Sequence, residues 1–400
     1  MNLRTDPARL RDAMVRDIVT AGHAQNPAVQ AALATVPRHR FIPGVPVVDA
    51  YDYRQAAAGS YPGTGIEPLT IAMMLDQLGI RTGQTVLHIG TGTGYTAALA
   101  AEQAGSRRVV TIDRDQDVAA QARRALSSLG YDRIEVIKGD GGEGVPGLYD
   151  RIIVTASAYD LPHAWVSQLA PGGRLVVPLR FRGTSRSLVF ERQGDTVEAR
   201  ESRRCSLPHL IGANHDRQYT SRIGPGGRLN LTWDDDQQKI VTGHGLDALQ
   251  TYSRPLLVWS GVIVHQGESC DGLWLRLAST AVGTCELAAA GELRDLPPLA
   301  IPAGTPALVG YGSIAYLTRR EIAPLHDATR RYELGAAAYG RRAAREATTY
   351  IDQVRAWDAY RQAHPTITVA SADTPVEQLP PGQYLERPSH LLVLSFATTI

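Results

Sequence analysis

The sequence predicts an α/β chain: a doubly wound, mostly parallel sheet followed by a second, smaller α+β domain. Three observations predict it. Strand-like and helix-like segments alternate from residue 85 onward, the pattern of βαβ units. Apolar runs such as RIIV and RLVV suit strands covered on both faces. A glycine-rich turn, GTGTG, joins the first strand of that series to its first helix. At 400 residues the chain is also longer than one ordinary domain.

Residues 1–35 place Val15, Ile18 and Val19, then Val29, Ala32 and Leu33, near helical spacing. VPRHRFIPGVP (36–46) carries three prolines and a glycine and reads as a loop or extended arm. AAAGSYPGTGIE (56–67) is a loop. Pro68 opens the next helix, which runs through Ile71, Met74, Leu75 and Leu78 and stops at Gly79. TVLHIG, RVVTID, IEVIKGD, RIIVTAS and PGGRLVVPL then read as strands, and TAALAAEQAG, DVAAQARRALSSLG and LPHAWVSQLA as helices. Beyond about residue 215 the texture changes. LLVWSGVIV, LWLRLAS, TCELAAA, PALVGYGSIAYLT and HLLVLSF read as strands, and 337–364 as one helix.

Composition excludes several classes. With 41 basic and 40 acidic residues the net charge is +1, which is no footprint for nucleic acid or an anionic membrane. No apolar run approaches the ~20 residues that span a bilayer. The charged start MNLRTDPARLRDAMVRD lacks a signal-peptide core and predicts a cytoplasmic protein. Cys205, Cys270 and Cys285 are too few and too scattered for a disulfide framework or a zinc site. The acidic run 234–236 reads as a solvated turn rather than a metal site, and Trp259, Trp274 and Trp357 as core of the second domain.

The chemistry centres on VLHIGTGTGYTAALA (86–100), where Gly90, Gly92 and Gly94 lie at the carboxyl end of the first strand. Open α/β sheets bind ligands there. Asp113 ends the next strand about 20 residues on, where a ribose hydroxyl is bound. Asp140 follows the third strand, placed for an exocyclic amine. Together these predict a Rossmann-like nucleoside-cofactor site. A glycine turn made only for packing, and Asp113 as a helix cap in TIDRDQD, are the alternatives. A dinucleotide fingerprint would place its third glycine at Tyr95; G-x-G-x-G is the form seen in S-adenosylmethionine enzymes.

AMVRDIV, ALATVPRHRFIP, the AY of DAYDYRQ, VLHIGTGTGYTAALAA, GDGGEG, YDRIIVTASA and LAPGGRLVVPL together resemble protein-L-isoaspartate O-methyltransferases over roughly residues 10–215. The resemblance implies a methyltransferase sheet, S-adenosyl-L-methionine as cofactor with S-adenosyl-L-homocysteine as product, and an isoaspartyl side carboxylate as acceptor. It places His88, Ile89, Gly90, Thr91, Gly92, Gly94, Tyr95, Asp113, Arg114, Gly139, Asp140, Gly141 and Thr155 at the cofactor. It places Ser60, Tyr61, Thr64, Ile66, Ala156, Ser206, Leu207 and His209 at the substrate. The chain is read as 1–80 for N-terminal helices and substrate arm, 81–215 for the cofactor core, and 216–400 for a domain that docks the peptide, since cofactor and chemistry need only the first half. ELGAAAYG, DQVRAWDAYRQAHP and HLLVLSF resemble the extension of methyltransferases that act in lanthipeptide and ATP-grasp peptide systems, the FxLD-system subgroup above all. That implies a modified precursor peptide as partner and an aspartimide as end product.

Two departures touch the substrate side. Ile66 stands where the family's G-Q-T-I-S-Q-P loop has serine, so that Ser60, Tyr61 or Thr64 would have to position the acceptor. CSLPHL (205–210) stands for R-F-V-P-L. No acid or base is expected, because a carboxylate is already ionised at neutral pH. His39 reads as a solvated loop residue, with a reach to substrate as the alternative, His88 as a satisfied core histidine inside the first strand, and His209 as either a substrate contact or a residue of the strand without that role. Arg38 and Arg40 either meet an acidic peptide or cover the arm. The leading expectation is a peptide-tailoring enzyme. A general isoaspartyl repair enzyme, and a non-catalytic peptide binder on the same fold, are the alternatives.

Overall fold

The computed structural model describes residues 6–53, 66–193, 196–212, 218–234, 241, 254–293, 296–302, 304–310, 312–323, 329–363 and 365–396. The chain divides into two units. Unit 1 is Met1–Leu179, Ser185–Asp216 and Pro388–His390; unit 2 is Arg180–Thr184, Arg217–Arg387 and Leu391–Ile400.

Unit 1 is built on β1 (Val86–Ile89), β2 (Val109–Asp113), β3 (Glu135–Lys138), β4 (Tyr149–Val154), β5 (Leu169–Phe181), β6 (Thr184–Gln193) and β7 (Thr196–Arg204), in the order β7-β6-β5-β4-β1-β2-β3. β1 runs parallel to β2 and to β4, β2 to β3, and β4 to β5; β6 and β7 pair antiparallel. The winding direction reverses between β1 and β4, and that is where open α/β sheets bind ligands.

The helices of unit 1 follow from local signals. α1 (Pro7–Thr20) and α2 (Pro27–Thr35) each place a proline first, behind the capping side chains of Asp6 and Asn26. A four-residue helix, α3 (Val47–Ala50), follows the arm, and α4 (Pro68–Leu78) runs as the sequence predicts. α5 (Tyr95–Ala104) is buried on almost every side because it packs between β1, β2 and α2, which its alanines permit. α6 (Gln116–Ser128) is amphipathic instead, burying Ala119, Ala122 and Leu126. The segment LPHAWVSQLA is only partly helical. α7 spans His163–Ser167, and Leu169 already pairs with Tyr149 of β4.

Residues 388–390 lie far along the chain from the rest of unit 1. Their anchor is Asp160, which is 2% exposed. Its carboxylate accepts from the backbone N–H of Ser389 (2.7 Å) and of Leu161 (2.8 Å), with His390 Nδ1 at 3.8 Å.

Unit 2 holds a seven-stranded sheet of β8 (Gln218–Ile223), β9 (Leu229–Asp234), β10 (Leu256–His265), β11 (Thr284–Ala289), β12 (Thr305–Gly310), β13 (Ser313–Ile322) and β14 (Arg331–Gly340), in the order β10-β14-β13-β12-β11-β9-β8. Helices α8 (Asp271–Thr280) and α9 (Ala343–Ala359) accompany it, with β15 (Thr366–Ser371), β16 (Gln383–Glu386) and β17 (His390–Ser395) near the end. Three expectations are corrected. LWLRLAS is helical: α8 buries residues on nearly all sides, so helical periodicity is invisible there. PALVGYGSIAYLT is a hairpin of β12 and β13 rather than one strand. The first residues of the expected 337–364 helix belong to β14. Ala336 and Ala338 face the cluster around Tyr350 and Trp357, while Ala337 and Tyr339 face the one around Trp233 and Cys285. That alternation is a strand's.

Of the acidic run, Asp234 is fully buried and pairs with Arg180 (2.9 Å), while Asp235 and Asp236 lie outside the described residues. Trp274 and Trp357 are buried; Trp259 is half-buried beneath the Arg320 guanidinium, 4.3 Å from its ring centre. Burial pushes the Cys205 thiol up to about 12 and that of Cys270 to about 11, so both are neutral thiols at pH 7. Among the described residues no helix is long and apolar enough to cross a membrane.

Beneath the turn that follows β1 runs a closed chain of side-chain hydrogen bonds. Thr91 Oγ1 meets Thr111 Oγ1 (2.8 Å), Thr111 Oγ1 meets His88 Nδ1 (3.0 Å), and His88 Nε2 meets Thr155 Oγ1 (2.9 Å). Thr155 Oγ1 also lies 2.9 Å from the carbonyl oxygen of Gly90. His88 is completely buried, and desolvation pushes its pKa down to about 3.

Two outcomes follow for stability. A Cβ at Gly183 would lie 2.4 Å from the Glu286 nitrogen and 2.7 Å from the Cys285 carbonyl carbon. Gly183→Ala is therefore expected to destabilise unit 2 by about 3 kcal/mol, read from urea unfolding. Native His88 stays neutral between pH 6.5 and about 3, whereas the unfolded chain takes up a proton there. Stability thus falls as pH drops through that window. The urea midpoint of His88→Gln should fall less between pH 7 and pH 5 than that of the parent; an equal fall would contradict this.

Candidate active site

The turn Gly90–Gly94 leaves the carboxyl end of β1 and enters α5. Gly90 has φ +90°, and a Cβ there would sit 3.2 Å from Thr155 Oγ1, so a side chain would meet both strain and the network below. Asp113 closes the turn from β2. Its carboxylate accepts from the N–H of Gly92 (3.0 Å) and of Asp115 (3.1 Å). Asp115, not Asp113, caps α6, accepting from Asp117 and Val118. This answers the capping alternative: Asp113 is spared that duty and lies at the cavity.

The cavity, about 430 Å³, opens at the carboxyl ends of β1, β2 and β4. Of the residues expected at the cofactor, Ile89, Gly90, Asp113, Arg114 and Gly141 line it. Gly141 is a close fit, since a Cβ would lie 2.6 Å from Ile89 Cγ2, and its carbonyl accepts from the Trp165 indole (2.8 Å). The others act from behind. His88, Thr91 and Thr155 form the buried network described above. Gly92 binds Asp113, and Gly94 is the N-cap residue of α5. Gly139 donates to the Asp113 carbonyl (2.9 Å). Asp140 caps the turn 141–143 through the Gly142 N–H (2.9 Å) and lies against Gly212, where a Cβ would meet its Oδ1 at 2.6 Å. Tyr95 is a core residue, with its ring 5.7 Å from that of Phe41 and 5.2 Å from the Arg38 guanidinium.

On the substrate side, Ala156 and His209 line the cavity. Leu207 is buried in the core and Ser206 is exposed. Ile66 packs against the hydrophobic core, and its carbonyl accepts from Arg38 (2.9 Å). Ser60, Tyr61 and Thr64 lie outside the described residues. Arg38 is 2% exposed and so covers the arm from within; Arg40 is exposed. His39 is half-buried rather than solvated, its Nδ1 2.8 Å from the Tyr51 hydroxyl, and burial lowers its pKa. Sequence reasoning missed Ile112, Asp115, Leu210 and Ile211, which also line the cavity. Each lies within two residues of a motif residue, so continuation of the two strand ends was the signal available.

The family model for protein-L-isoaspartate(D-aspartate) O-methyltransferase matches residues 9–210. The protein-L-isoaspartate O-methyltransferase of Methanococcus aeolicus is 36% identical over 207 residues, covering 51% of this chain and 94% of the relative. That of Methanoregula boonei is 40% identical over 199 residues, covering 49% and 90%. A solved protein-L-isoaspartate O-methyltransferase covers 90% of this chain and 96% of its own, with 18% identity and a TM-score of 0.47. With half of its length matched to that model and nearly the whole of the relatives covered, this chain belongs to the protein-L-isoaspartate(D-aspartate) O-methyltransferase family, the carboxyl O-methyltransferases of polypeptides.

Proposed function

We propose that the chain transfers a methyl group from S-adenosylmethionine to the side carboxylate of an isoaspartyl residue in a polypeptide. The observation that carries this is the cavity at the β1–β4 switch, walled by Gly90 and Gly141 and edged by Asp113. Its volume lies within the range of small-molecule sites, and its parts suit the cofactor. Asp113 offers acceptor oxygens to ribose hydroxyls, the two glycines keep the floor open, and Ile89, Ile112, Leu210 and Ile211 offer apolar walls to a purine.

When bound, the cofactor supplies a sulfonium methyl, an electrophile that needs no further activation. The protein's residues have three tasks: holding the sugar, aligning the acceptor oxygen and excluding water. No side chain has to remove a proton, since the acceptor is a carboxylate with a reference pKa near 4. Alignment of this kind is worth roughly 7–11 kcal/mol when the bound pose approaches attack geometry.

Two acceptors compete, and the isoaspartyl one has the greater support. The matched stretch 9–210 and the relatives' names both point to it. The peptide-tailoring reading, with aspartimide as product and a modified precursor peptide as partner, rests on the resemblance of the C-terminal half and on Ile66. In either reading unit 2 serves to dock the polypeptide, because cofactor and chemistry call only on unit 1.

The test is methyl transfer to three peptides: an isoaspartyl hexapeptide, a longer isoaspartyl peptide and a cyclised peptide with ordinary aspartate. Both isoaspartyl peptides are expected to gain one methyl ester, the longer with the higher kcat/KM. Exclusive turnover of the cyclised peptide would transfer the assignment to tailoring, and methyl on nitrogen would refute both. Asp113→Asn is expected to weaken S-adenosylhomocysteine binding at least about tenfold by calorimetry, through loss of a charge-assisted hydrogen bond.

A further inference from the structure

The polar groups of the cavity wall are unevenly distributed. Asp113, Arg114 and Asp115 stand together at the end of β2. Toward β4 the described wall is Ala156, Leu210 and Ile211, and the polar residue described there is His209. Its backbone is fixed by a short parallel bridge with Ser157. The Ser157 N–H donates to the Pro208 carbonyl (2.7 Å), and the Leu210 N–H to the Ser157 carbonyl (2.8 Å). Leu207 and Leu210 are buried, whereas His209 is exposed. The bridge therefore holds the imidazole out of the core and at the cavity.

A carboxylate brought into this cavity loses water and needs a donor for the oxygen that does not take the methyl. Asp113 and Asp115 carry the same charge as the acceptor. Arg114 belongs to the β2 end, beside the sugar-binding Asp113. The Ile66 side chain has no donor and packs, partly buried, against the core. Imidazole carries at least one N–H, in either neutral tautomer or as the cation.

We infer that His209 binds the acceptor carboxylate, donating a ring N–H to its spectator oxygen and so selecting carboxylate acceptors. The inference rests on the function proposed above and names the residue that selects its acceptor. His209 gains and loses no proton in the transfer. It orients an acceptor that is already ionised.

The experiment uses the full chain, the isoaspartyl hexapeptide and calorimetry with S-adenosylhomocysteine. His209→Leu is expected to lower kcat/KM for the peptide about ten- to hundredfold, the worth of one hydrogen bond to a charge. S-adenosylhomocysteine affinity should stay within twofold. His209→Gln, which keeps a donor, is expected to recover most of the loss. A Leu variant within twofold of the parent overturns the inference. So does a Gln variant as poor as the Leu variant, because a donor is then not what the position supplies. Should the Leu variant fail to bind S-adenosylhomocysteine, the Gln variant decides alone: near-parent turnover supports the inference and a collapse overturns it. Failure of the parent chain to methylate any carboxylate would instead defeat the function proposed above, and is read first.

Discussion

The glycine turn at the candidate site rests on the buried hydrogen-bonded chain Thr91–Thr111–His88–Thr155. A turn of three glycines has little reason of its own to hold one shape, since glycine loses more backbone freedom on ordering than any other residue. The network offsets that cost from below. It joins β1, β2 and the residue that follows β4, at strand ends that border the cavity, and it reaches the Gly90 carbonyl directly. Buried polar chains of this kind rigidify when every member is satisfied. His88 is thus buried beneath the turn, bonded to Thr111 and Thr155, and does not line the cavity.

The parallel half of the fold was legible because its strands are short apolar runs bounded by glycine or aspartate. Part of the cavity lining was legible for the same reason: Gly90, Asp113 and Gly141 stand at successive strand ends. What stayed hidden was burial without periodicity. α8 is apolar nearly all round, so LWLRLAS carries no helical signature. In β14 the run Ala336–Ala338 reads as helix by propensity, yet the sheet takes it because alanine fits between two cores. Distant partners were hidden too. Nothing local to Asp160 announces Ser389, and nothing in the DDD run announces Arg180.

The substrate side was legible only in outline. CSLPHL was identified as the segment that would matter, and it does reach the cavity through His209, but Leu207 turns inward and Ser206 outward. The bridge to Ser157 decides which of the three residues faces the cavity, and a single isolated bridge leaves no trace in composition or pattern. Arg38 shows the converse. A charged residue in a polar arm reads as surface, but its guanidinium lies over Tyr95 and serves the Ile66 carbonyl, holding the arm against the core.

The anchoring of Ser389 on Asp160 bears on the order in which the protein is made. During synthesis the parallel strands leave the ribosome long before residue 389 does. Until it arrives, a carboxylate destined for the interior has to keep its water. Unit 1 therefore reaches this hydrogen-bonding only after the whole intervening stretch, residues 217–387, has been made.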